Sequence, residues 1–411
     1  MISAIPINDY LTYLGVNDRD TQLFENQWPL PYGISYNSFL IKDEKNCLMD
    51  TVKVTEVDQF LACLKDGLDG GDLDYIVVHH VEPDHSSALS IVRSLYPKAK
   101  LVGNKKTFEF LKNFYEIDDE DQIVVDDGES LNLGKRTLTF YKTPMVHWPE
   151  SMVSFIEEDG ILFSQDIFGT YGALDGAIFD DEVSRRSHYA EETARYYVNI
   201  VSKYNMMAGN ALKKLGGLDI RMICPDHGPI WREKPADVLK LYQNLTAFKV
   251  ESSITIVYGS MYGNTQAMAE IVARELAEEG IKDIKLFDVS KTDASTIQTE
   301  CWKSRGIILG SCTYDKKLFP PMKHLVGLLD ENKMKNHVLG IFGNYSWASG
   351  AMEDLQTFAE AQKGYEVIDI QPNIKSSANE EDQEALKEMA RAVAKAVKAH
   401  EEEDAKTSFT L

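Results

Sequence analysis

The sequence predicts two domains of different class: an α+β domain of two stacked sheets with helices outside, then an α/β domain with a doubly wound parallel sheet. Three observations predict this. The chain has 411 residues, too many for one ordinary hydrophobic core. Its first part holds short apolar runs separated by polar turns such as Asp43-Glu44-Lys45 and Glu157-Glu158-Asp159-Gly160, the mark of many short strands. Its last part alternates strand and helix patterns regularly, the mark of successive βα units. The boundary falls at 249–253, where a helical stretch gives way to the clean strand Ile254-Thr255-Ile256-Val257-Tyr258, so the domains run 1–250 and 251–411.

In the first domain, strands are expected at 38–41, 47–49, 76–78, 101–102, 123–125, 138–141, 152–156, 161–163 and 221–223. Helices are expected at 57–68, 87–95, 107–114 and 235–248, with one long helix at 189–215. In the second domain, strands at 254–258, 284–288, 306–309, 338–342 and 366–370 each precede a helix, at 265–278, 294–303, 321–329, 352–362 and 381–400. Five such units imply a parallel sheet with helices on both faces.

Composition narrows the function classes. The net charge of −22 argues against nucleic acid and against anionic membrane surfaces. No apolar run is long enough to span a bilayer, and Met1-Ile2-Ser3-Ala4-Ile5-Pro6 lacks the layout of a secretory signal, so a cytoplasmic location is expected. Five scattered cysteines, Cys47, Cys63, Cys224, Cys301 and Cys312, include no C-x-x-C pair. They fit reduced thiols, and they exclude a rubredoxin or zinc-ribbon module within this chain.

The strongest chemical signal follows the strand Ile76-Val77-Val78. There His79-His80-Val81-Glu82-Pro83-Asp84-His85 crowds three imidazoles and two carboxylates into one strand-to-helix turn. His147, Asp166 and His227 lie further on, each after a strand or in a Pro/Gly-rich turn, where loop ends converge. Consecutive residues of an extended chain point to opposite faces, so His79 is expected to turn away from a metal that His80 binds. In the second domain, Gly259-Ser260-Met261-Tyr262-Gly263-Asn264-Thr265 opens a helix with small hydroxyl residues and glycine. Free N–H groups and the helix dipole there favour one phosphate, and the absence of lysine excludes a triphosphate loop. Two more loops end strands with aromatic residues: Gly310-Ser311-Cys312-Thr313-Tyr314-Asp315, and 342–350 with Asn344-Tyr345-Ser346-Trp347. Doubly wound sheets bind ligands at those strand ends.

The H-x-E-x-D-H run at 80–85, with His147, Asp166 and His227, resembles the flavodiiron protein family, a branch of the metallo-β-lactamase superfamily. So do Gly33-Ile34-Ser35-Tyr36-Asn37-Ser38, Asp50-Thr51-Val52-Lys53, Pro144-Met145-Val146-His147-Trp148-Pro149 and His227-Gly228-Pro229-Ile230-Trp231. The three loops of the second domain look like those of flavodoxins. The resemblance spans nearly the whole chain. It implies a metallo-β-lactamase-like αββα sandwich followed by a flavodoxin-like domain. It also implies two irons, one held by His80, Glu82 and His147 and the other by Asp84, His85 and His227, with Asp166 bridging. FMN is expected against Ser260, Met261, Gly263, Asn264, Thr265, Cys312, Thr313, Tyr314, Asp315, Asn344, Tyr345, Ser346 and Trp347. Two departures stand out: Tyr171 where many relatives carry histidine, and Asp226 where serine is usual.

The resemblance implies an oxidoreductase in which FMN feeds a diiron centre that reduces O2 to water, or NO to nitrous oxide. The ligands do not separate these substrates. Rubredoxin or a NAD(P)H-dependent reductase is the implied donor, and a head-to-tail homodimer or a dimer of dimers is the implied assembly. A binuclear zinc hydrolase with an appended flavodoxin is the first alternative; Glu82 in place of an imidazole hardens the site and disfavours it. A flavodoxin-like carrier that has lost its metals is the second, and the complete ligand set disfavours that.

Overall fold

The computed structural model describes residues 3–117, 122–183 and 186–408. The chain divides into two compact units, Met1–Thr246 and Ala247–Leu411.

The first unit is an αββα sandwich. One sheet has seven strands in the spatial order Ile5–Pro6, Leu11–Tyr13, Phe39–Ile41, Cys47–Met49, Tyr75–Val77, Lys100–Gly103 and Gln122–Val124. The other has five, in the order Ser130–Asn132, Thr137–Lys142, Met152–Ile156, Ile161–Gln165 and Met222–Pro225. Their facing side chains make the core, where Phe39, Met49, Val77 and Val102 meet Phe140, Met152, Ile156 and Phe163. The rings of Phe39 and Phe163 pack edge to face at 5.5 Å. Both sheets are covered, so strands such as Met152–Ile156 and Ile161–Gln165 are buried at every position rather than at alternate ones. Helix Val57–Leu68 buries Phe60, Cys63, Leu64 and Leu68, a stripe at helical spacing. Helix Lys105–Tyr115 starts at Asn104, whose side chain accepts from the N–H groups of Lys106 and Thr107.

The expected long helix at 189–215 is interrupted. Arg186–Tyr196 runs into a wider π turn at Tyr197–Val201, a tight turn at Ser202–Tyr204, and a second α-helix at Asn205–Leu215. Asn199 donates to the Arg195 carbonyl and Ser202 to that of Val198, so side chains compete with the helical ladder there. The short strands before residue 38 went unanticipated. Among them are Val16–Asp18, paired with Ile34–Tyr36, and the hairpin of Leu23–Phe24 with Trp28–Pro29.

The second unit is flavodoxin-like. Its sheet runs Asp283–Asp288, Glu251–Gly259, Ser304–Tyr314, His337–Tyr345 and Tyr365–Val367, all parallel, which is the order 2-1-3-4-5. Helices Asn264–Glu278 and Glu380–Ser408 close one face, where Met268, Val272 and Leu276 meet Leu386, Met389 and Val393. Strand order reverses at the first strand. There the carboxyl ends of three neighbours lie in register, Gly259 beside Ser311 and Ser311 beside Gly343. Doubly wound sheets open a ligand crevice at such a point. Among the described residues, no helix is long and apolar enough to cross a membrane.

Candidate metal centre and flavin cradle

Strand Tyr75–Val77 leads into His79 and His80, and Pro83 then opens the one-turn helix Pro83–Ser86. A proline at the first helical position suits a helix start, because its missing N–H would find no partner there. The turn presents Glu82, Asp84 and His85 to the place His80 faces. His147, Asp166 and His227 arrive from loops at the carboxyl ends of the second sheet. Two clusters result, His80, Glu82, His147 and Asp166 in one and Asp84, His85 and His227 in the other, each with donor atoms within 4.8 Å of one another. Asp166 joins them. Its Oδ2 lies 3.4 Å from His80 Nε2 and 3.3 Å from His147 Nε2. Its Oδ1 lies 3.0 Å from His85 Nε2 and 3.3 Å from His227 Nε2. Glu82 Oε2 lies 2.9 Å from His147 Nε2 and 3.2 Å from His80 Nε2, while Asp84 Oδ2 is 3.4 Å from both His85 and His227.

The outer ring nitrogens of His80 and His227 are held too. His80 Nδ1 is 2.7 Å from Glu150 Oε1, which also accepts from the Val81 N–H. His227 Nδ1 is 2.7 Å from the Ser35 carbonyl. His85 Nδ1 lies 3.4 Å from Asp226 Oδ2, a looser ion pair. Such partners fix the tautomer and leave Nε2 free to face a cation. Gln165 steadies the bridge by donating to the Val146 carbonyl and accepting from the Asp166 N–H. His79 turns away. Its backbone N–H and its Nδ1 meet the Asp50 carboxylate, at 2.8 and 2.5 Å, and its Nε2 meets Ser154.

The electrostatics point to cations. Burial by itself would lower the histidine pKa values, but the carboxylates override it. His85 rises to about 9 through the charges of Asp84, Asp166 and Asp226. His147 and His227 rise to about 10, chiefly through the adjacent Asp166 carboxylate and then through Glu82 and Asp84 respectively. His80 also rises well above its usual range, through Glu150 and Glu82. Burial opposes the ionised form of Asp166, yet the surrounding imidazoles hold it well below the usual carboxylate range. Both Asp84 oxygens, Asp166 Oδ2 and His227 Nε2 are buried without a hydrogen-bond partner. Convergent, unsatisfied donors with three carboxylates among them fit a pair of bridged divalent or trivalent cations.

In the second unit, a hollow of about 200 Å³ is lined by Ser260, Met261, Tyr262, Asn264, Thr265, Cys312, Thr313, Asn344, Tyr345, Ser346 and Ser376. Gly263 takes φ +95° and caps the helix Asn264–Glu278, a conformation that favours glycine, and its N–H donates to Ser260 Oγ at 3.0 Å. Asn344 is partly committed, since its amide donates to the carbonyls of Ile374 and Ser376. Tyr314 and Asp315 line a separate, larger hollow with Lys317, Lys323 and His324. Trp347 stands 70% exposed beside the cradle loop. The cradle is therefore narrow, polar and closed at one helix N-terminus. That fits a phosphate monoester with a planar group beyond it.

Several site residues were not read from the sequence. Glu150 carried a weak signal, an acid three positions after His147. Asp50 stood only within the resembling run 50–53, and Tyr196, packed on His227, and Ser376, in the cradle lining, carried no signal, because only folding brings them to the sites.

A family model described as ODP family beta lactamase matches residues 34–228, and the flavodoxin model matches 256–392. The anaerobic nitric oxide reductase flavorubredoxin of Escherichia coli O1:K1 / APEC is 32% identical over 359 residues, covering 86% of this chain and 74% of that protein. The rubredoxin oxygen:oxidoreductase of Desulfovibrio gigas superposes with a TM-score of 0.92 at 30% identity, covering 97% of this chain and 99% of that one. The flavodiiron protein of Giardia intestinalis superposes with a TM-score of 0.92 at 26% identity, covering 98% of each chain.

Proposed function

The chain belongs to the flavodiiron protein family, an oxidoreductase family, and from that premise we propose that it reduces O2 to water, or NO to nitrous oxide, at an iron pair supplied by FMN. The observation that carries the reading is Asp166, whose two oxygens each face a different pair of histidines.

In this reading His80, Glu82 and His147 hold one iron, Asp84, His85 and His227 hold the other, and Asp166 bridges. When bound, the irons supply reversible one-electron steps and a binding place for a diatomic molecule, and FMN takes up electrons and releases them singly. The protein's own contribution is position and charge. Glu150 and the Ser35 carbonyl aim two imidazoles by their outer nitrogens. Gln165 clamps the backbone of Asp166, and the fully buried Asp166 with the nearly buried Glu82 and Asp84 would balance metal charge. Ser260, Asn264 and Thr265 hold the phosphate at the helix N-terminus, and Tyr345 and Trp347 flank the ring. The donor is an external carrier of the rubredoxin class or a NAD(P)H-dependent reductase. The compartment is a reducing one such as the cytoplasm, in keeping with five free, buried cysteines.

The working assembly is a head-to-tail dimer, or a dimer of such dimers, with the flavin of one chain serving the irons of its partner. Each unit exposes apolar surface beside its own site. Phe110, Phe114, Trp148 and Tyr204 rim a hollow at His147, and Met261, Tyr262 and Trp347 stand exposed at the cradle. Two measurements test the reading. Elemental analysis of protein made with ample iron is expected to find an iron pair in each chain; zinc alone at full occupancy would reject it. Mixing a variant that binds no FMN with one lacking His80 and Asp166 is expected to restore activity after subunit exchange. Inactive mixed dimers would place electron transfer within one chain.

A further inference from the structure

The two histidines of the cluster Asp84, His85 and His227 are backed differently. His227 has its outer nitrogen held by the Ser35 carbonyl at 2.7 Å. Among the described residues, His85 Nδ1 has no hydrogen-bond partner, and neither has Asp226 Oδ2. These two atoms face each other at 3.4 Å, on side chains that are both buried. Folded proteins retain few buried polar atoms without a partner, because each forfeits its hydration for nothing. A charge-assisted N–H···O bond is about 2.7–2.9 Å long, so a small approach of the two side chains would satisfy both atoms at once.

The backbone around Asp226 is clamped on both sides. Its N–H donates to the Gln165 carbonyl at 3.0 Å, and its carbonyl accepts from the Asn37 N–H at 2.7 Å. Asn37 is fully buried, and its amide donates to the carbonyls of Pro225 and Gly228 at 2.8 Å each. Its own side-chain oxygen accepts from the Tyr13 hydroxyl, which fixes the amide. The His85 backbone is tied as well, since its carbonyl accepts from both the N–H and the hydroxyl of Thr51. Meanwhile His85 Nε2 lies 3.0 Å from Asp166 Oδ1 and 3.4 Å from Asp84 Oδ2, on the side where a cation would sit. A neutral imidazole can offer Nε2 to a cation only while Nδ1 carries the proton. In the other cluster, Glu150 imposes that state on His80 from 2.7 Å. Asp226 stands in the same relation to His85, so each cluster has one imidazole with a carboxylate behind it.

We propose that Asp226 is a positioning residue that accepts a hydrogen bond from His85 Nδ1–H and thereby sets the cation affinity of the Asp84, His85 and His227 cluster. The inference rests on the metal-pair reading above. The test is release of iron from the iron-loaded, full-length protein to increasing chelator, with iron and FMN per chain measured at each step. Asp226→Ala is expected to make one of the two irons roughly tenfold to a hundredfold easier to remove, and to leave the other iron and the FMN as in the parent. Asp226→Asn, which keeps an acceptor oxygen without the charge, should fall between the parent and Asp226→Ala. A double-mutant cycle then asks through which group Asp226 acts. His85→Ala is expected to loosen the same iron, and adding Asp226→Ala to it should loosen that iron no further. Parent-like release from Asp226→Ala would overturn the proposal. So would an effect that falls equally on both irons, or one that persists in full in the His85→Ala background. A parent that never holds two irons would reject the metal-pair reading itself, and this inference with it.

Discussion

The two units bury histidines in opposite ways. In the first, His79, His80, His85, His147 and His227 are buried among carboxylates, and the four in the candidate metal clusters are pushed toward the charged form. In the second, His337 is equally buried, but its Nδ1 meets only the Ser304 carbonyl and its ring packs on Tyr365 at 5.1 Å. Burial pushes its pKa down to about 4, against the hydrogen bond that its Nδ1 donates to the Ser304 carbonyl. Burial is the same in both places. What differs is the charge of the neighbours, and that decides whether a hidden imidazole attracts cations or acts as a polar filler.

The largest effect is expected where the contrast is greatest. Asp166→Ala removes the carboxylate that joins the two clusters, so bound iron should fall to one ion or none, with loss of turnover. Metal analysis beside O2 and NO consumption checks this, and full iron content would break the contrast.

Next is the pH dependence of stability, where the two units should pull apart. His337 is neutral in the fold and has an ordinary pKa of about 6.5 when unfolded. Its contribution is fully present above that value and is lost as pH falls toward 4, on the order of 3 kcal/mol. His337→Phe should therefore flatten the acid side of the stability profile relative to the parent, measured by denaturant unfolding of the full chain at pH 7 and pH 4. The first unit's histidines carry the opposite sign. In chelated protein, the stabilisation from His85, His147 and His227 is present below about pH 6.5 and is lost as pH rises through about 9 to 10. Chelated protein should lose stability on that alkaline side, and metal loading should release protons. An alkaline limb that metal removal leaves unaltered would count against the assignment.

A smaller effect is expected from Glu150→Gln. The amide keeps a hydrogen-bond partner for His80 but removes the charge, so iron affinity should drop by roughly tenfold to a hundredfold. Competition with a chelator measures it. The smallest is Trp347→Ala. Loss of one stacking partner, worth about 0.5–1.5 kcal/mol, should weaken FMN by a few-fold, read from fluorescence of the released flavin.

Legibility in the sequence followed the range of the interaction. His80, Glu82, Asp84 and His85 lie in one short run, and strand-to-helix patterning was enough to foresee a shared turn. His79 was also legible, because alternation along an extended chain sends neighbours to opposite faces. The helix-opening loop 259–265, a candidate phosphate loop, was readable for the same local reason. The pairing of Glu150 with His80 and of Asp50 with His79 was not, because each spans tens of residues. The break at Tyr197–Val201 was hidden as well. Its residues keep a helical pattern, and the disruption comes from side chains that bond the ladder's own carbonyls.

By itself, the chain's residue pattern determined the two sheet architectures, the candidate metal-ligand types and the candidate phosphate loop. All three depend on periodicity and on groups a few residues apart. Only the tertiary structure decided that Asp166 faces both clusters with different oxygens, that Glu150 backs His80, and that the hydroxyls of Tyr171 and Tyr196 are left without acceptors. The physical reason is that charge and hydrogen bonding act over a few ångströms of space, and distant segments reach that range only when two packed sheets bring their loop ends together.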